Sequence, residues 1–200
     1  MPVIGQIVRL QVQRSALKLP SSPGAANGRY YDPAALVQVA RLQLTPDGVL
    51  GLIDQGDAIV DVHHLRHPAS KNVRGTNGMS VGFTAHYELM RDRFGSHLAD
   101  GIAGENVLVG TDDNIDHERL LGGLDIFLRD GGQVHLDHII VAEPCVEFTC
   151  YALQLGQSVP GGEACAEGLR FLRRGMRGFY VSYAGDPVVL NVGDAVFAPS

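Results

Sequence analysis

The segment Gln133–Thr149, QVHLDHIIVAEPCVEFT, joins a strand pattern, a strand terminator and a thiol. Side chains alternate between the two faces of a strand, so one face is predicted to carry Val134, Leu136, His138, Ile140 and Ala142. Pro144 has no N–H to donate to a neighbouring strand, so we expect the strand to end before it. Cys145 then lies on backbone that has left the sheet, where proteins often place reactive side chains. Although a free cysteine is more often a small buried hydrophobe, this position makes Cys145 the candidate catalytic residue.

Length and composition restrict the class of protein. At 200 residues the chain is most simply one domain, 1–200, and its net charge of −6 argues against a general nucleic-acid binder. Neither a signal peptide nor a run of apolar residues long enough to cross a bilayer is present. Cys145, Cys150 and Cys165 form no Cys-x-x-Cys pair, which indicates neither a disulfide framework nor a zinc knuckle. We therefore expect a cytoplasmic protein with reduced thiols and no nucleic-acid or membrane partner.

Short alternating runs separated by turn residues predict a mainly β fold. Strands are predicted in Val3–Val12, Leu36–Leu44, Val49–Ile53, Ala58–Val62, the end of Gly101–Gly110, Leu124–Leu128, Gly178–Tyr183, Val188–Val192 and Ala195–Ala198. Pro46-Asp47-Gly48 predicts a hairpin turn. Roughly eight to ten short strands and two helices, with no βαβ alternation, favour a barrel or sandwich with helices outside it.

Two segments carry a helical pattern. In Ser80–Phe94 the large apolar residues recur at spacings of three and four, and we expect Ser80 to cap its start and Gly95 its end. Glu163–Arg174 is the second predicted helix.

A histidine-rich loop, Asp61–His67, is a candidate metal site. Asp61, His63 and His67 are residue types that bind Zn²⁺ or Fe²⁺. His63 and His64 are adjacent, so on a strand they would point to opposite faces, and no established zinc spacing is present. A metal-dependent enzyme using Asp61, His63 and His67 is therefore one alternative.

The segment Gly101–Asn106, GIAGEN, leads into a strand rather than a helix, so it is not a phosphate-binding loop of the usual kind. Gly104 permits a close turn beside Glu105 and Asn106. These two polar residues either contact a ligand at the rim of the barrel or satisfy the turn's own backbone.

Four arginines fall close together near the C-terminus: Arg170, Arg173, Arg174 and Arg177. Their guanidinium groups can pair with phosphate in a bidentate manner and form an anion site. The alternative is a solvated helix face, which is where runs of charge usually lie.

The order of these motifs resembles the MOSC family, the domain found at the C-terminus of molybdenum-cofactor sulfurases and in standalone bacterial proteins. The resemblance spans about Val37–Val196 and rests on Gly48–Gly51, Asp61–His67, Gly104-Glu105-Asn106, Pro144-Cys145, Gly178–Val181 and Gly193-Asp194. The chain resembles a divergent member. Ala142 stands where the family often has Arg, Gly51-Leu52 replaces a usual Gly-Asp, and the histidine loop replaces a common His-Gly-Gly.

The resemblance implies a MOSC-like β-barrel with a few peripheral helices. It implies that Cys145 carries sulfur as a persulfide or ligates molybdenum, and that the molybdenum cofactor, a pterin with a dithiolene and a phosphate, is bound. Its cofactor-binding residues would be Gly104, Glu105 and Asn106, with Arg170, Arg173 and Arg177. A cysteine desulfurase or a molybdoenzyme would be the partner, and the family is also associated with pyridoxal phosphate binding. A different class stays open, namely a non-catalytic barrel that binds a small pterin or anion while Cys145 only packs.

Overall fold

The computed structural model describes residues 2–24, 28–53, 56–70, 72, 75–156 and 162–198. The strands are β1 (Val3–Gln13), β2 (Lys18–Pro20), β3 (Arg29–Tyr31), β4 (Leu36–Val39), β5 (Arg41–Thr45), β6 (Gly48–Leu52), β7 (Ala58–Val60), β8 (Met79–Phe83), β9 (Val107–Gly110), β10 (Leu124–Phe127), β11 (Gln133–Val141), β12 (Phe179–Ser182), β13 (Val188–Asn191) and β14 (Ala195–Phe197). The α-helices of these residues are α1 (Thr84–Phe94), α2 (Val146–Ala152) and α3 (Glu163–Phe171). None of them is long and apolar enough to span a membrane.

Seven strands close into a barrel in the order β14-β10-β11-β12-β8-β9-β1, because β14 also pairs with β1. The neighbours are antiparallel except β8 and β9, which are parallel and are joined through α1. β4 pairs with the end of β1, and β13-β5-β6-β7 form a second sheet. The mainly β barrel with peripheral helices, as predicted from the sequence, is confirmed.

Alternation along the strands divides the apolar residues between two cores. The barrel core includes Ile7, Leu10, Val81, Val107, Val109, Leu136 and Phe179. Leu108, between Val107 and Val109, instead joins the second core, in which residues of α1 and α2 cover the barrel wall. Tyr87, Met90 and Phe148 are fully buried there, and burial of each such side chain contributes roughly 1.5–3 kcal/mol. This second core fixes the position of α2, at whose start Cys145 lies.

The hairpin predicted at Pro46-Asp47-Gly48 is confirmed, with Thr45 opposite Gly48 in the β5–β6 pair. Gly48 has a φ of +125°, and a Cβ there would lie 2.8 Å from the Cα of His64. Glycine is therefore required at this turn by both conformation and space.

The helix predicted over Ser80–Phe94 is wrong at its start. Residues Met79–Phe83 form β8, all of them buried, because they pair with β12 and β9 inside the barrel. The helix begins at Thr84, and Ser80 bonds to the Asn106 side chain instead of capping it. Its predicted end at Gly95 is confirmed by the bond from the Gly95 N–H to the Arg91 carbonyl.

Other boundaries also differ from the predictions. β2 and β3 were not predicted, Leu36–Leu44 forms two strands, and Glu163–Arg174 is helical only to Phe171. β11 ends before Pro144 as expected, but its single alternating face does not persist. The register shifts between Asp137 and Ile140, and His138, at a φ of 47°, is exposed. A β-bulge at this point explains why the period of two is lost.

Candidate functional site

Cys145 is half-buried and lies directly before the first turn of α2. Its backbone is extended, with φ −128° and ψ 152°, and its carbonyl accepts bonds from the N–H and the Oγ1 of Thr149. The sequence did not predict α2. Pro144 just ahead of the helix and Glu147 in its first turn are the helix-start signals that could have found it.

Arg177 brings a positive charge to this thiol. Its Nη1 lies 3.4 Å from the Cys145 Sγ and 3.4 Å from the Glu143 carbonyl oxygen, and its Nη2 donates to the Ala103 carbonyl at 3.3 Å. The guanidinium stacks on the Phe148 ring, 4.6 Å from its centre. Although burial acts to lower it, the pKa of Arg177 is raised overall, first by the charge of Cys145 and then by that of Tyr31. Arg177 is therefore a fixed cation beside the Cys145 sulfur.

A pocket of about 390 Å³ opens next to Arg177. We call it the Arg177 pocket, and its lining includes Lys18, Arg29, Tyr31, His63, Gly104, Glu105, Ala142, Glu143, Arg177 and Tyr180. Cys145 is not part of this lining. Its sulfur, however, contacts Arg177, and Arg177 does line the pocket. The site therefore consists of a cation shared between a pocket and a thiol.

Sequence reasoning missed the polar residues that β2, β3 and α2 contribute. Lys18 and Arg29 line the pocket, and both pair with Glu147 of α2, at 3.6 Å and 2.7 Å. Burial acts to raise the pKa of Glu147, but a backbone hydrogen bond and the charges of Lys18 and Arg29 lower it overall. Tyr31 donates to the Ile102 carbonyl at 2.6 Å, and burial raises its pKa. No periodic pattern marks the short hairpin that carries three of these residues.

Glu105 is the buried acid of the Arg177 pocket. Its Oε2 accepts a 2.7 Å bond from the Tyr87 hydroxyl, whereas its Oε1 has no partner among the described residues. Burial raises the pKa of Glu105. Two glycines leave room for it, because a Cβ on Gly82 would lie 2.7 Å from Oε1 and one on Gly178 would lie 3.1 Å from Cγ. Oε1 is buried against Gly82, so Glu105 keeps unused hydrogen-bond capacity beside the pocket.

Asn106, the next residue, belongs to a structural network instead. Its Nδ2 donates to Asp61 Oδ2 at 2.9 Å and its Oδ1 accepts from the N–H and hydroxyl of Ser80. Asp61 is fully buried and also accepts the backbone N–H groups of Gln13 and His63, at 2.7 Å and 2.8 Å. This network ties β1, β8 and the histidine loop together, and neither Asp61 nor Asn106 lines the pocket.

The histidine loop does not bring its three candidate metal ligands together. His63 Nδ1 lies 3.2 Å from Asp61 Oδ1, but His67 is exposed and bonds through Nε2 to the Arg14 carbonyl. No group of three or more His, Cys, Asp or Glu side chains suited to a metal ion occurs in the described part of the chain.

The arginine run is also divided. Arg177 lies at the pocket just described, whereas Arg170, Arg173 and Arg174 line a different one with His86. Arg174 at φ 60° and Gly175 at φ 92° are both left-handed and turn the chain between the two groups. Of the predicted cofactor-binding residues, Gly104, Glu105 and Arg177 share one pocket, and Asn106, Arg170 and Arg173 do not line it.

Comparison with known proteins gives structural matches only. No family model and no curated sequence matches the chain. The crystal structure of the YuaD protein from Bacillus subtilis has a TM-score of 0.52 and 14% identity over 95% of this chain and 96% of its own. A crystal structure described as that of a hypothetical protein has a TM-score of 0.51 and 12% identity, over 98% of this chain and 68% of its own. The YiiM protein from Escherichia coli has a TM-score of 0.49 and 14% identity, over 82% and 65%. At such identities the likeness to the first two shows the fold alone.

Proposed function

We propose that the protein binds a small anionic ligand in the Arg177 pocket and that Cys145 is the thiol that contacts or reacts with it. A molybdenum-cofactor species is the ligand that the MOSC resemblance implies. The observation that carries the proposal is that one guanidinium borders both the pocket and the Cys145 sulfur.

The balance of charge around Arg177 supports an anion. Lys18 and Arg29 are already paired with Glu147, but no carboxylate of the described residues forms a salt bridge with Arg177. Its contacts are two carbonyl oxygens and the sulfur, and its Nε has no partner among these residues. Arg177 is half-buried, and a partly desolvated cation without a counter-ion is unfavourable, so an anionic group or a thiolate stabilises this arrangement.

Arg177 also supplies the charge that the sequence lacks at position 142. The MOSC resemblance implies an Arg there, and the chain has Ala142. The Ala142 N–H bonds to the Gly178 carbonyl, and Arg177 reaches the Glu143 carbonyl next to it. A guanidinium from the segment just before β12 therefore lies beside the position where the family often has its own.

The residues present fit a molybdenum-cofactor species. A thiolate is a soft ligand of the kind molybdenum accepts, and a guanidinium suits a phosphate. Arg177 would hold the anionic group, Cys145 would offer its sulfur, and the free oxygen of Glu105 would bond a polar edge of the ligand. When bound, such a cofactor supplies oxygen-atom transfer chemistry. The volume of about 390 Å³ is within the range of small-molecule pockets.

Sulfur carriage is the other form of this proposal. The Cys145 thiolate would attack the outer sulfur of a donor persulfide, forming a new S–S bond while the donor's S–S bond breaks and the donor leaves as a thiolate. The Arg177 guanidinium, 3.4 Å from Sγ, would stabilise the negative charge on the sulfur that Cys145 then carries. A cysteine desulfurase is the donor of the right chemistry, and a molybdoenzyme is a fitting acceptor.

The pterin content of the purified protein tests the cofactor form. After expression in a host that makes the cofactor, we expect oxidised pterin in the wild type and its loss in both Cys145→Ala and Arg177→Gln. Arg41→Gln, at an exposed arginine that does not line the pocket, is the matched control and should retain the pterin. Equal pterin in all four proteins would contradict the proposal.

Incubation with a cysteine desulfurase and cysteine tests the sulfur form. Mass spectrometry should show the gain of one sulfur atom on Cys145 in the wild type, and less in Arg177→Gln. If the wild type shows neither pterin nor this gain, Cys145 has no role in either chemistry.

A non-catalytic binding barrel is the second candidate, favoured by the absence of Cys145 from the pocket lining. In that case Cys145→Ser keeps ligand binding, whereas Arg177→Gln loses it. The pair of variants therefore separates a reactive thiol from one that packs.

A further inference from the structure

A second polar pocket has a volume of about 560 Å³, and Cys145 is not among its lining residues. We call it the His86 pocket; its polar lining is His86, Asn114, Asp116, Arg170, Arg173 and Arg174. It is formed by the first turn of α1, the loop after β9, the end of α3 and the segment that follows it. None of its residues lines the Arg177 pocket.

The three arginines of the His86 pocket have no counter-ion in the described part of the chain. None of them forms a salt bridge or a side-chain hydrogen bond there, whereas Arg91, Arg93 and Arg119 each pair with an acid. Asp116 is the one acidic residue of the lining, and its Oδ1 accepts the Arg119 N–H. Arg173 and Arg174 also border a neighbouring pocket with Glu118 and Glu143, but neither acid forms a salt bridge with them among the described residues. Within the lining of the His86 pocket, three positive charges therefore stand against one negative charge, an excess that attracts anions.

His86 adds a buried polar group to this pocket. It is 2% exposed, and its buried Nδ1 has no hydrogen-bond partner among the described residues. The ring is held between Phe83 and Phe179, with ring centres 5.4 Å and 6.5 Å away. The Asn114 side chain and the backbone of Ile115 and Gly175 lie close enough to affect the ring, and Nδ1 keeps the capacity for one more hydrogen bond. His86 also lies in the first turn of α1, where the helix dipole favours negative charge.

We propose that the His86 pocket is a second anion site, which binds the phosphate groups of a small phosphorylated molecule. The guanidinium groups of Arg170, Arg173 and Arg174 hold the phosphate oxygens, and His86 bonds the ligand at the bottom of the pocket. Arg174 has a φ of 60°, a left-handed conformation that is unfavourable for a residue with a side chain. This strained residue is one of the three arginines that would bind the phosphate. This site is separate from the proposed function and does not depend on it.

Titration calorimetry with inorganic pyrophosphate at low salt tests the second site. The titration is made in the Arg177→Gln background, so that the Arg177 pocket cannot account for binding. We expect binding to persist there, and the added pair Arg170→Gln and Arg173→Gln to weaken it about a hundredfold, roughly tenfold for each charge-assisted pair lost. Arg41→Gln, an exposed arginine outside both pockets, should change the affinity less than twofold.

Arg174→Gly is the variant that separates binding from folding. Glycine accepts the left-handed conformation, so this change should leave the melting temperature equal or higher while it weakens pyrophosphate about tenfold. Because Arg170 and Arg173 are exposed, their replacement should also leave the melting temperature unchanged. Loss of binding in Arg177→Gln alone, or an equal loss in Arg41→Gln, would overturn the second site.

Discussion

Glu105 and Asn106 are neighbours in the chain, but their side chains enter two different environments. Asn106 joins a network in which it bonds Asp61, Ser80 and the Gln11 carbonyl, so its amide is fully used. Glu105 faces the Arg177 pocket with one oxygen bonded to Tyr87 and the other unpaired. Both are buried, at 3% and 1% exposure.

The difference shows how a structural polar group can be told from one that is available to a ligand. A buried network that is closed on itself rigidifies the fold, and each partner removed leaves another group unpaired. A buried polar group that lies beside a pocket and has one atom without a hydrogen-bond partner has capacity left for a ligand. On this comparison Asp61 and Asn106 hold the barrel together, whereas Gly104, Glu105 and Arg177 line the pocket that we propose as the site.

The largest effect is expected from breaking the network. Asn106→Ala would leave Asp61, the Ser80 N–H and the Gln11 carbonyl each short of a bond, so the free energy of unfolding should fall by about 4 kcal/mol. Urea unfolding measures this change. Gln38→Ala, at an exposed amide side chain, should change it by less than about 0.5 kcal/mol. Similar values for the two variants would mean that the network is not structural.

A smaller loss is expected on the pocket side, from Gly104→Ala. Gly104 has φ +99°, and a Cβ there would lie 2.8 Å from Leu17 Cδ1 and 3.0 Å from Gln13 Nε2. Gly131 has φ +94° with nothing within 4 Å of its Cβ position, so Gly131→Ala carries the backbone strain alone. We expect losses of about 2 kcal/mol at Gly104 and about 1 kcal/mol at Gly131 in the same unfolding measurement. Equal losses would show that Leu17 and Gln13 move aside freely.

The sequence predicted much of the barrel because its strands alternate and their turns carry Gly, Pro and Asp. It placed the end of β11 before Pro144 and the β5–β6 turn correctly. It assigned Ser80 to a helix because the fully buried strand β8 has no alternation, and barrel pairing overrode the local helical pattern. Only tertiary structure shows that a continuous apolar run lies inside a barrel.

The site was harder to predict than the fold. Cys145, Glu105 and Arg177 stood out as motif residues, but nothing in their spacing separates Arg177 from Arg170 and Arg173. That division depends on the left-handed turn at Arg174 and Gly175. Glu105 and Asn106 likewise differ only through partners that are distant in sequence, such as Tyr87 and Asp61.

The contact between Arg177 and Cys145 predicts a tenfold effect on thiol reactivity. The guanidinium attracts the negative charge on sulfur during alkylation, so Arg177→Gln should slow the reaction of Cys145 with iodoacetamide about tenfold at neutral pH. Cys150 and Cys165 are buried, and burial raises the pKa of Cys150 to about 11, so neither competes. Mass spectrometry of the alkylated peptides measures the rate. Arg170→Gln is the control, and an equal rate in Arg177→Gln and wild type would remove Arg177 from the site.

The smallest effect concerns the raised pKa of the buried Glu105. A pKa higher in the folded than in the unfolded state means that the folded protein binds this proton more tightly. The contribution of Glu105 to the free energy of unfolding is therefore greatest at a pH below the pKa of the unfolded state. It falls as the pH rises through the pKa of the folded state.

Glu105→Gln has no such proton, and its carbonyl oxygen can still accept the Tyr87 hydroxyl. Unfolding titrations at a series of pH values should thus show the variant gaining stability relative to wild type as the pH rises through that window. His86, whose pKa burial lowers, titrates in both proteins and cancels from the difference. A difference that stays constant with pH would mean that Glu105 is as free to ionise as in the unfolded chain. Glu105 would then resemble an ordinary solvated acid, and its contrast with the closed network of Asn106 would not hold.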